Sequence, residues 1–177
     1  MATAALIPVS EYLSTVYEPD CDYIDGEVQE RNLGEYPHAS LQFALAKVFD
    51  FHRRDWNVRV APELRVQVAP GRYRVPDVTV MRRSDPADAI VQTAPLICIE
   101  VLSPEDCILP MQERFDDYFR LGVEHVWFLD PISRRAWIAT ADGSHTRVAN
   151  AFTVPGTAIR VSLAELFAEL DDMQSQG

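Results

Sequence analysis

The chain has 177 residues, 47% of them hydrophobic, which predicts a globular protein with one domain over residues 1–177 and excludes a disordered chain. Its formal net charge of −11 at pH 7 argues against nucleic-acid binding by unspecific attraction, because phosphate contacts need clustered basic side chains. No apolar run approaches the roughly 18 residues of a membrane span and the N-terminus lacks a secretory pattern, so we expect a cytoplasmic protein without a membrane partner.

Two short elements are predicted before residue 32. Ser10 is placed to cap a helix that runs to about Tyr17. Asp25-Gly26 lies between two short extended segments, which is a strong hairpin signal, so residues 21–31 are predicted to form a β-hairpin. The core of the domain is expected over about residues 21 to 140.

His38 begins the next predicted helix, whose apolar residues recur at helical spacing. The stripe that should be buried contains Leu41, Leu45, Val48 and Phe49. His38 precedes Leu41 by three residues and therefore lies on the same inward face. Lys47 is the only lysine of the chain, and it lies on the opposite side of the helix from His38.

Residues 58–81 carry a β pattern and are predicted to form a meander of consecutive strands. Their extended segments are separated by turn residues, among them Pro70-Gly71. From Arg53 to Arg83 the chain has eight arginines and only three acidic residues. This basic strip could bind a polyanion, or it could be a solvated sheet face and hairpin.

Residues 95–104 form an apolar run that contains a single carboxylate, Glu100. A short apolar run with turn residues at both ends is typical of a strand covered on both faces, so Glu100 should be buried. A buried glutamate is costly unless it is paired, protonated or bound to a cation. The cysteines lack metal-ligand spacing, so reduced thiols are expected at Cys21, Cys98 and Cys107.

The next elements follow the order of a strand–helix–strand crossover. Pro110 suits the first turn of a helix that Gly122 ends, and residues 124–131 form a second apolar strand. The two strands should be parallel and the crossover right-handed. A hairpin over residues 136–148 and a last helix capped by Ser162 complete the predicted elements.

Five segments between about residues 10 and 140 occur in a characteristic order. They are Tyr23-Ile24-Asp25-Gly26-Glu27, His38, Val75-Pro76-Asp77-Val78, Ile99-Glu100-Val101-Leu102-Ser103-Pro104 and Gly122-Val123-Glu124-His125-Val126-Trp127-Phe128-Leu129-Asp130-Pro131. The ordered set resembles the PD-(D/E)XK, or restriction-endonuclease-like, nucleases, and within them the Uma-type family of small bacterial endonucleases. The resemblance implies an α/β (α+β) fold with a mixed sheet, a helix before the β-meander, the right-handed crossover, and N- and C-terminal helices.

The resemblance also implies a metal-dependent DNA endonuclease, a hydrolase of phosphodiester bonds. Asp77 and Glu100 would bind Mg²⁺ or Mn²⁺ with the Val101 carbonyl as a further ligand, and His38 would assist. A hard divalent cation polarises the phosphate and offsets the burial cost of two carboxylates, one of which should otherwise have a raised pKa. DNA is then the expected partner, and the protein could act as a homodimer.

Each of these residues also has a purely structural interpretation. Asp77 could be a strand-end aspartate that accepts hydrogen bonds from the backbone. Glu100 could form an ion pair with Arg74 or Arg114. His38 could be a histidine at a helix start that simply packs on the sheet.

One position departs from the superfamily pattern, in which lysine follows two residues after the strand-borne acid. That position is Leu102 in this chain. The Uma-type family uses a lysine from the following helix, and the matching residue is Arg114. Arginine can hold a phosphate through two hydrogen bonds, but its pKa is too high for a general base. The chain is therefore either an endonuclease in which Arg114 clamps the phosphate, or a weakly active or inactive nuclease fold that binds nucleic acid or a protein partner.

Overall fold

A computed structural model gives the fold of residues 6–31, 35–104, 106 and 108–175. Its helices are α1 (Val9–Ser14), α2 (Tyr36–Phe51), α3 (Ile108–Leu121) and α4 (Leu163–Ser175). Its strands are β1 (Asp22–Ile24), β2 (Glu27–Gln29), β3 (Val58–Pro62), β4 (Val66–Ala69), β5 (Arg72–Arg74), β6 (Val78–Arg82), β7 (Ile97–Val101), β8 (His125–Asp130), β9 (Arg135–Ala139), β10 (His145–Val148), β11 (Ala151–Thr153) and β12 (Arg160–Ser162). None of the described helices has both the length and the apolar character needed to cross a membrane.

A six-stranded mixed sheet in the order β10-β9-β8-β7-β6-β3 lies at the centre of the fold. Strands β7 and β8 are parallel and are connected through α3, so the predicted strand–helix–strand unit is confirmed. Side chains alternate between the two faces of β7. Ile97 and Ile99 pack in the core that α2 and α4 cover, whereas Cys98 packs with Phe115 of α3.

A second sheet, in the order β2-β1-β5-β4, joins the predicted N-terminal hairpin to two strands from the middle of the chain. Its strands are antiparallel, and Asp25 and Gly26 form the hairpin turn with φ of 51° and 103°. Helix α1 covers this sheet through Tyr12, whose ring lies 4.8 Å from that of Tyr23. We call it the small sheet.

The predicted meander over residues 58–81 is wrong in its strand pairing. Strand β3 pairs with β6 in the central sheet, while β4 and β5 between them belong to the small sheet. The chain is not in a strand between β5, which ends at Arg74, and β6, which begins at Val78. Proline has no N–H to donate to a strand ladder, so the chain can leave one sheet and enter the other at this point.

Smaller differences occur at the ends of the chain. Helix α1 ends at Ser14 rather than near Tyr17. The strands β11 and β12 form a hairpin that was not predicted. At the start of α4 the amide of Glu165 donates to Ser162 Oγ at 3.4 Å, as the capping pattern predicted. Cys21 and Cys98 are buried free thiols, and Cys107 lies outside the described residues.

A buried ion-pair network attaches α3 to the small sheet. Asp117 of α3 is 1% exposed and accepts hydrogen bonds from Arg74 Nε at 2.8 Å and from Arg72 Nη2 at 3.0 Å. Arg74 also donates to Asp22 of β1 at 3.0 Å. Because Arg74 is itself only 3% exposed, it depends on these carboxylates to offset the loss of hydration.

We expect Asp117→Asn to lower the free energy of unfolding by about 3 kcal/mol, because the buried Arg74 then keeps only one of the two carboxylates that compensate its charge. Asp116→Asn is the matched control on the same helix. Asp116 is partly exposed and contacts Gln112, so its substitution should cost about 0.5 kcal/mol or less. Urea denaturation of the two variants and the wild type measures the difference, and equal losses would contradict this assignment.

Candidate active site

A cavity of about 220 Å³ lies where the small sheet, the central sheet, α2 and α3 meet. Its wall contains every residue that the sequence singled out for the site, namely His38, Asp77, Glu100, Val101 and Arg114. These residues come from distant parts of the chain, so the fold alone brings them together. We call this cavity the cleft.

Asp77 and Glu100 are neighbours across two antiparallel strands. Val78 of β6 lies opposite Ile99 of β7, and the register therefore places Asp77 beside Glu100 at the next position. They are 2% and 3% exposed. Burial of Glu100 was predicted from its apolar strand and is confirmed.

Asp77 is held by backbone and side-chain donors at once. Its Oδ2 accepts from the amide of Val101 at 2.7 Å and lies 3.3 Å from His38 Nε2, and its Oδ1 accepts from Arg31. Burial alone would raise the pKa of Asp77. The bond to His38 and the charge of Arg31 outweigh burial and lower this pKa to about 2.

His38 lies on the inward face of α2, as predicted, and points its Nε2 at Asp77. Burial disfavours the charged ring, but the hydrogen bond and charge of Asp77 prevail and raise the pKa of His38 above its ordinary value. Gln42, one turn later on α2, donates to the backbone carbonyl of Asp77 at 2.9 Å. Helix α2 therefore orients Asp77 through two side chains.

Glu100 faces α3 and contacts two of its side chains. Oε2 accepts from Arg114 Nη1 at 3.1 Å, and Oε1 accepts from the hydroxyl of Tyr118. Burial raises the pKa of Glu100 to about 7, against the opposing effect of Arg114 and with a further increase from the negative charge of Asp77. One carboxyl of the pair thus has a raised pKa, as expected for two buried acids without a cation.

The sequence did not identify Asp22 and Arg31, which line the cleft, or Tyr118, which contacts Glu100 from α3. Asp22 accepts from Arg114 Nη2 at 3.2 Å and from the amide of Val75 at 2.9 Å. Arg31 contacts Asp77, and Tyr118 contacts Glu100. Tyr118 lies four residues after Arg114 on α3, so helical spacing could have indicated it, whereas Asp22 and Arg31 enter the cleft through tertiary packing that no local pattern announces.

Lys47 and Leu102 lie where the sequence placed them. The Lys47 side chain is 55% exposed and pairs with Glu169 of α4, outside the cleft. Leu102 lines the cleft, so an aliphatic side chain occupies the position at which the superfamily carries lysine. Of the two alternatives for Glu100, the ion pair with Arg114 is present, while Arg74 binds Asp22 and Asp117 instead.

Many arginines of the basic strip are already paired with acids. Arg65 binds Asp20, Arg72 binds Asp25 and Glu113, and Arg82 binds Glu124. The strip therefore does not form one continuous cationic surface, and the solvated or ion-paired alternative describes these residues better.

The carboxylate oxygens of the cleft are suitable ligands for a hard divalent cation. Each carboxylate oxygen can accept about two hydrogen bonds or ligand contacts. Oδ1 of Asp77 and both oxygens of Glu100 each have one described hydrogen bond, which leaves acceptor capacity for a cation. Among the described residues no three His, Cys, Asp or Glu side chains are grouped as metal ligands, so the two carboxylates would need a carbonyl and water to complete the coordination.

A mixed sheet flanked by helices, with one buried acid on β7 and another just before its neighbour β6, has the architecture of the restriction-endonuclease-like nucleases. The chain belongs to the Uma2 family, described as "Putative restriction endonuclease", whose model matches residues 9–168. This confirms the resemblance seen in the ordered segments.

Several solved structures match this chain. A putative nuclease of DUF820 from Anabaena variabilis ATCC 29413 aligns with a TM-score of 0.79 and 22% identity over 93% of this chain and 99% of its own. That likeness shows the fold. A DrdV–DNA complex aligns with a TM-score of 0.41 and 13% identity over 81% of this chain and 12% of its own. No curated protein matches the chain.

Glu100 should make the metal-free protein less stable as the pH rises. The pKa of this group is 4.5 ordinarily and about 7 in the fold, so between these values only the folded protein keeps the proton. The contribution of Glu100 to the free energy of unfolding is fully present below about pH 4.5. It is lost as the pH rises through 7, and the loss is at most about 3 kcal/mol.

Denaturation in EDTA between pH 5 and 8 measures this loss, and Glu100→Gln should flatten the dependence. His38 acts in the same direction, since its pKa is also raised, and leaves a smaller residual slope. The exposed Glu11→Gln is the control and should keep the wild-type slope. An unchanged slope in Glu100→Gln would show that this group is not the source.

Proposed function

We propose that this protein is a Mg²⁺- or Mn²⁺-dependent endodeoxyribonuclease that hydrolyses phosphodiester bonds in the cleft. The observation that carries the proposal is the pair Asp77 and Glu100, two buried acids side by side, one just before β6 and one on β7, each paired with an arginine. Buried acids of this kind persist at functional sites because they bind a cation or move a proton. Membership of a family described as restriction endonucleases supports DNA as the substrate.

Asp77, Glu100 and the Val101 carbonyl are the groups that would hold the cation. A bound divalent cation would polarise the phosphate, activate the attacking water and neutralise charge on the leaving oxygen. The chain holds these ligands firmly. Val101 N–H and His38 fix one oxygen of Asp77, and Tyr118 fixes one oxygen of Glu100. Such support keeps ligands oriented and is often needed for full affinity.

Arg114 is the group that would bind the scissile phosphate. It lies on α3 at the wall of the cleft, and its side chain is 24% exposed. Its planar fork can donate two hydrogen bonds to phosphate oxygens and stabilise the charge that develops there. Leu102 and Arg114 offer no general base, so Arg114 acts through electrostatics and positioning.

A nuclease fold that binds nucleic acid or a protein partner without hydrolysis is the second candidate. It is favoured by Leu102 at the superfamily's lysine position and by the engagement of Arg114 with both Glu100 and Asp22. DNA binding that survives Glu100→Ala, together with no cleavage by the wild type, would select it. A cytoplasmic location and a homodimer stay predictions.

The metal-binding pair can be tested with plasmid DNA and a thermal-shift assay. Wild-type protein should nick or linearise plasmid in Mg²⁺ or Mn²⁺ and should melt at a higher temperature when the cation is added, because a ligand of the folded state stabilises it. Asp77→Ala and Glu100→Ala should lose both signals. Asp142→Ala, on the exposed β9–β10 turn, should keep them.

Intact plasmid and single-stranded DNA across Mg²⁺ and Mn²⁺ titrations, with no thermal shift of the wild type, would reject the endonuclease proposal. Circular dichroism of each alanine variant shows whether the fold is retained. A folded variant without the shift assigns the loss to the cation ligands and not to unfolding.

Arg114→Met should lower the cleavage rate by about 100-fold or more, as expected when a group that stabilises the transition state is removed. Arg114→Lys keeps the charge but loses the forked donors, so its rate should fall between those of wild type and Arg114→Met. The control is Arg120→Met on the same helix, whose side chain is 64% exposed and lies outside the cleft. Single-turnover cleavage measures the rates, and equal activity of Arg114→Met and wild type would exclude the clamp.

A further inference from the structure

Arg31 is a buried arginine of the cleft that the proposed function does not yet use. It follows β2, its side chain is 9% exposed, and its Nη2 donates to Asp77 Oδ1. Nη1 lies 3.9 Å from a carboxylate oxygen of Glu63, too far for a hydrogen bond. Nε is buried and has no hydrogen-bond partner among the described residues.

Such a side chain has more donors than partners. A guanidinium carries five N–H donors, and a buried donor without a partner costs free energy. The arrangement therefore leaves Arg31 only partly satisfied where it stands, at the wall of the same cleft as Arg114. An additional acceptor in the cleft, such as a phosphate oxygen, would satisfy it.

The charges around the cleft indicate that a bound cation would weaken the hold of Asp77 on Arg31. When ionised, Asp77 and Glu100 carry two negative charges, and Arg31 and Arg114 place two positive charges against them. A divalent cation on the same carboxylates supplies the same positive charge. The two guanidinium charges are then in excess inside a buried site, which disfavours them unless an anion approaches.

We infer that Arg31 is a second phosphate-binding arginine, which Asp77 holds in the metal-free protein and which a divalent cation releases to the DNA backbone. This inference rests on the proposed function and adds to it an order of binding, in which the cation binds before the phosphate. The cation and Arg31 compete for Asp77, so metal binding prepares the phosphate site. Metal and DNA should then strengthen each other's binding by the same factor, as reciprocity between two sites requires.

The first test measures Mn²⁺ affinity by isothermal titration calorimetry without DNA. Arg31→Gln removes the competing charge beside Asp77, and Mn²⁺ should bind about tenfold more tightly than to wild type. Arg65→Gln is the matched control, because Arg65 also pairs with an aspartate, Asp20, but lies outside the cleft. Its Mn²⁺ affinity should equal that of wild type.

The second test measures the binding of a short duplex oligonucleotide at several salt concentrations, in Ca²⁺ and in EDTA. Ca²⁺ prefers the same hard oxygen ligands as Mg²⁺. In Ca²⁺ the slope of log affinity against log salt should be smaller by about 1 for Arg31→Gln than for wild type, because one phosphate contact is lost. In EDTA the two slopes should be equal, since Asp77 then holds Arg31.

Two results would overturn the inference while leaving the proposed function intact. One is an Arg31→Gln protein that binds Mn²⁺ no more tightly than wild type. The other is tighter Mn²⁺ binding with an unchanged salt slope, which would make Arg31 only a counter-ion. A wild type that binds no Mn²⁺ would instead reject the metal site and this inference together.

A second variant covers the case in which Arg31→Gln fails to fold. Arg31→Lys keeps one positive charge beside Asp77 but lacks the forked donors. Because it keeps the competing charge, it should bind Mn²⁺ no more weakly than wild type, and it should keep the wild-type salt slope in Ca²⁺ because the phosphate contact needs only a charge. Weaker Mn²⁺ binding by a folded Arg31→Lys protein would overturn the inference.

Discussion

Charge compensation between buried acids and arginines is the constraint on which the junction of the two sheets and α3 depends. Three layers of the molecule meet there, and each contributes charge to the junction. The acids are Asp22, Asp77, Glu100 and Asp117, and the arginines that face them are Arg31, Arg72, Arg74 and Arg114. Breaking one buried pair leaves an uncompensated charge, so these contacts are coupled to the fold itself.

The same charge compensation sets the protonation states of the two acids in the cleft. Asp77, which is bound by His38 and Arg31, stays ionised, while Glu100 has a pKa near neutrality. A cation that binds this pair must displace positive charge that already stabilises the metal-free protein. Under the proposed function, metal affinity, phosphate binding and stability would be linked through the same few side chains.

The differences between prediction and structure have identifiable physical causes. The strand of Glu100 was predicted correctly because burial on both faces leaves a local apolar signature between turn residues. The meander prediction was wrong because a local β pattern does not determine which strands pair. Pro76 interrupts the strand ladder, and the chain passes from the small sheet to the central sheet there. Arg31 and Asp22 were missed because a charged residue beside a hairpin has the same local pattern whether it faces solvent or a cleft.

By itself the sequence determined the order of most elements, the burial of Glu100, the inward position of His38 and the absence of lysine from the site. These follow from periodicity, turn residues and composition, which are local properties of the chain. Only the tertiary structure decided that Asp77 lies beside Glu100, that Arg114 pairs with it, and that Arg31 holds Asp77. Those contacts join residues far apart in the chain, and packing geometry selects among the many pairings that the charges alone would allow.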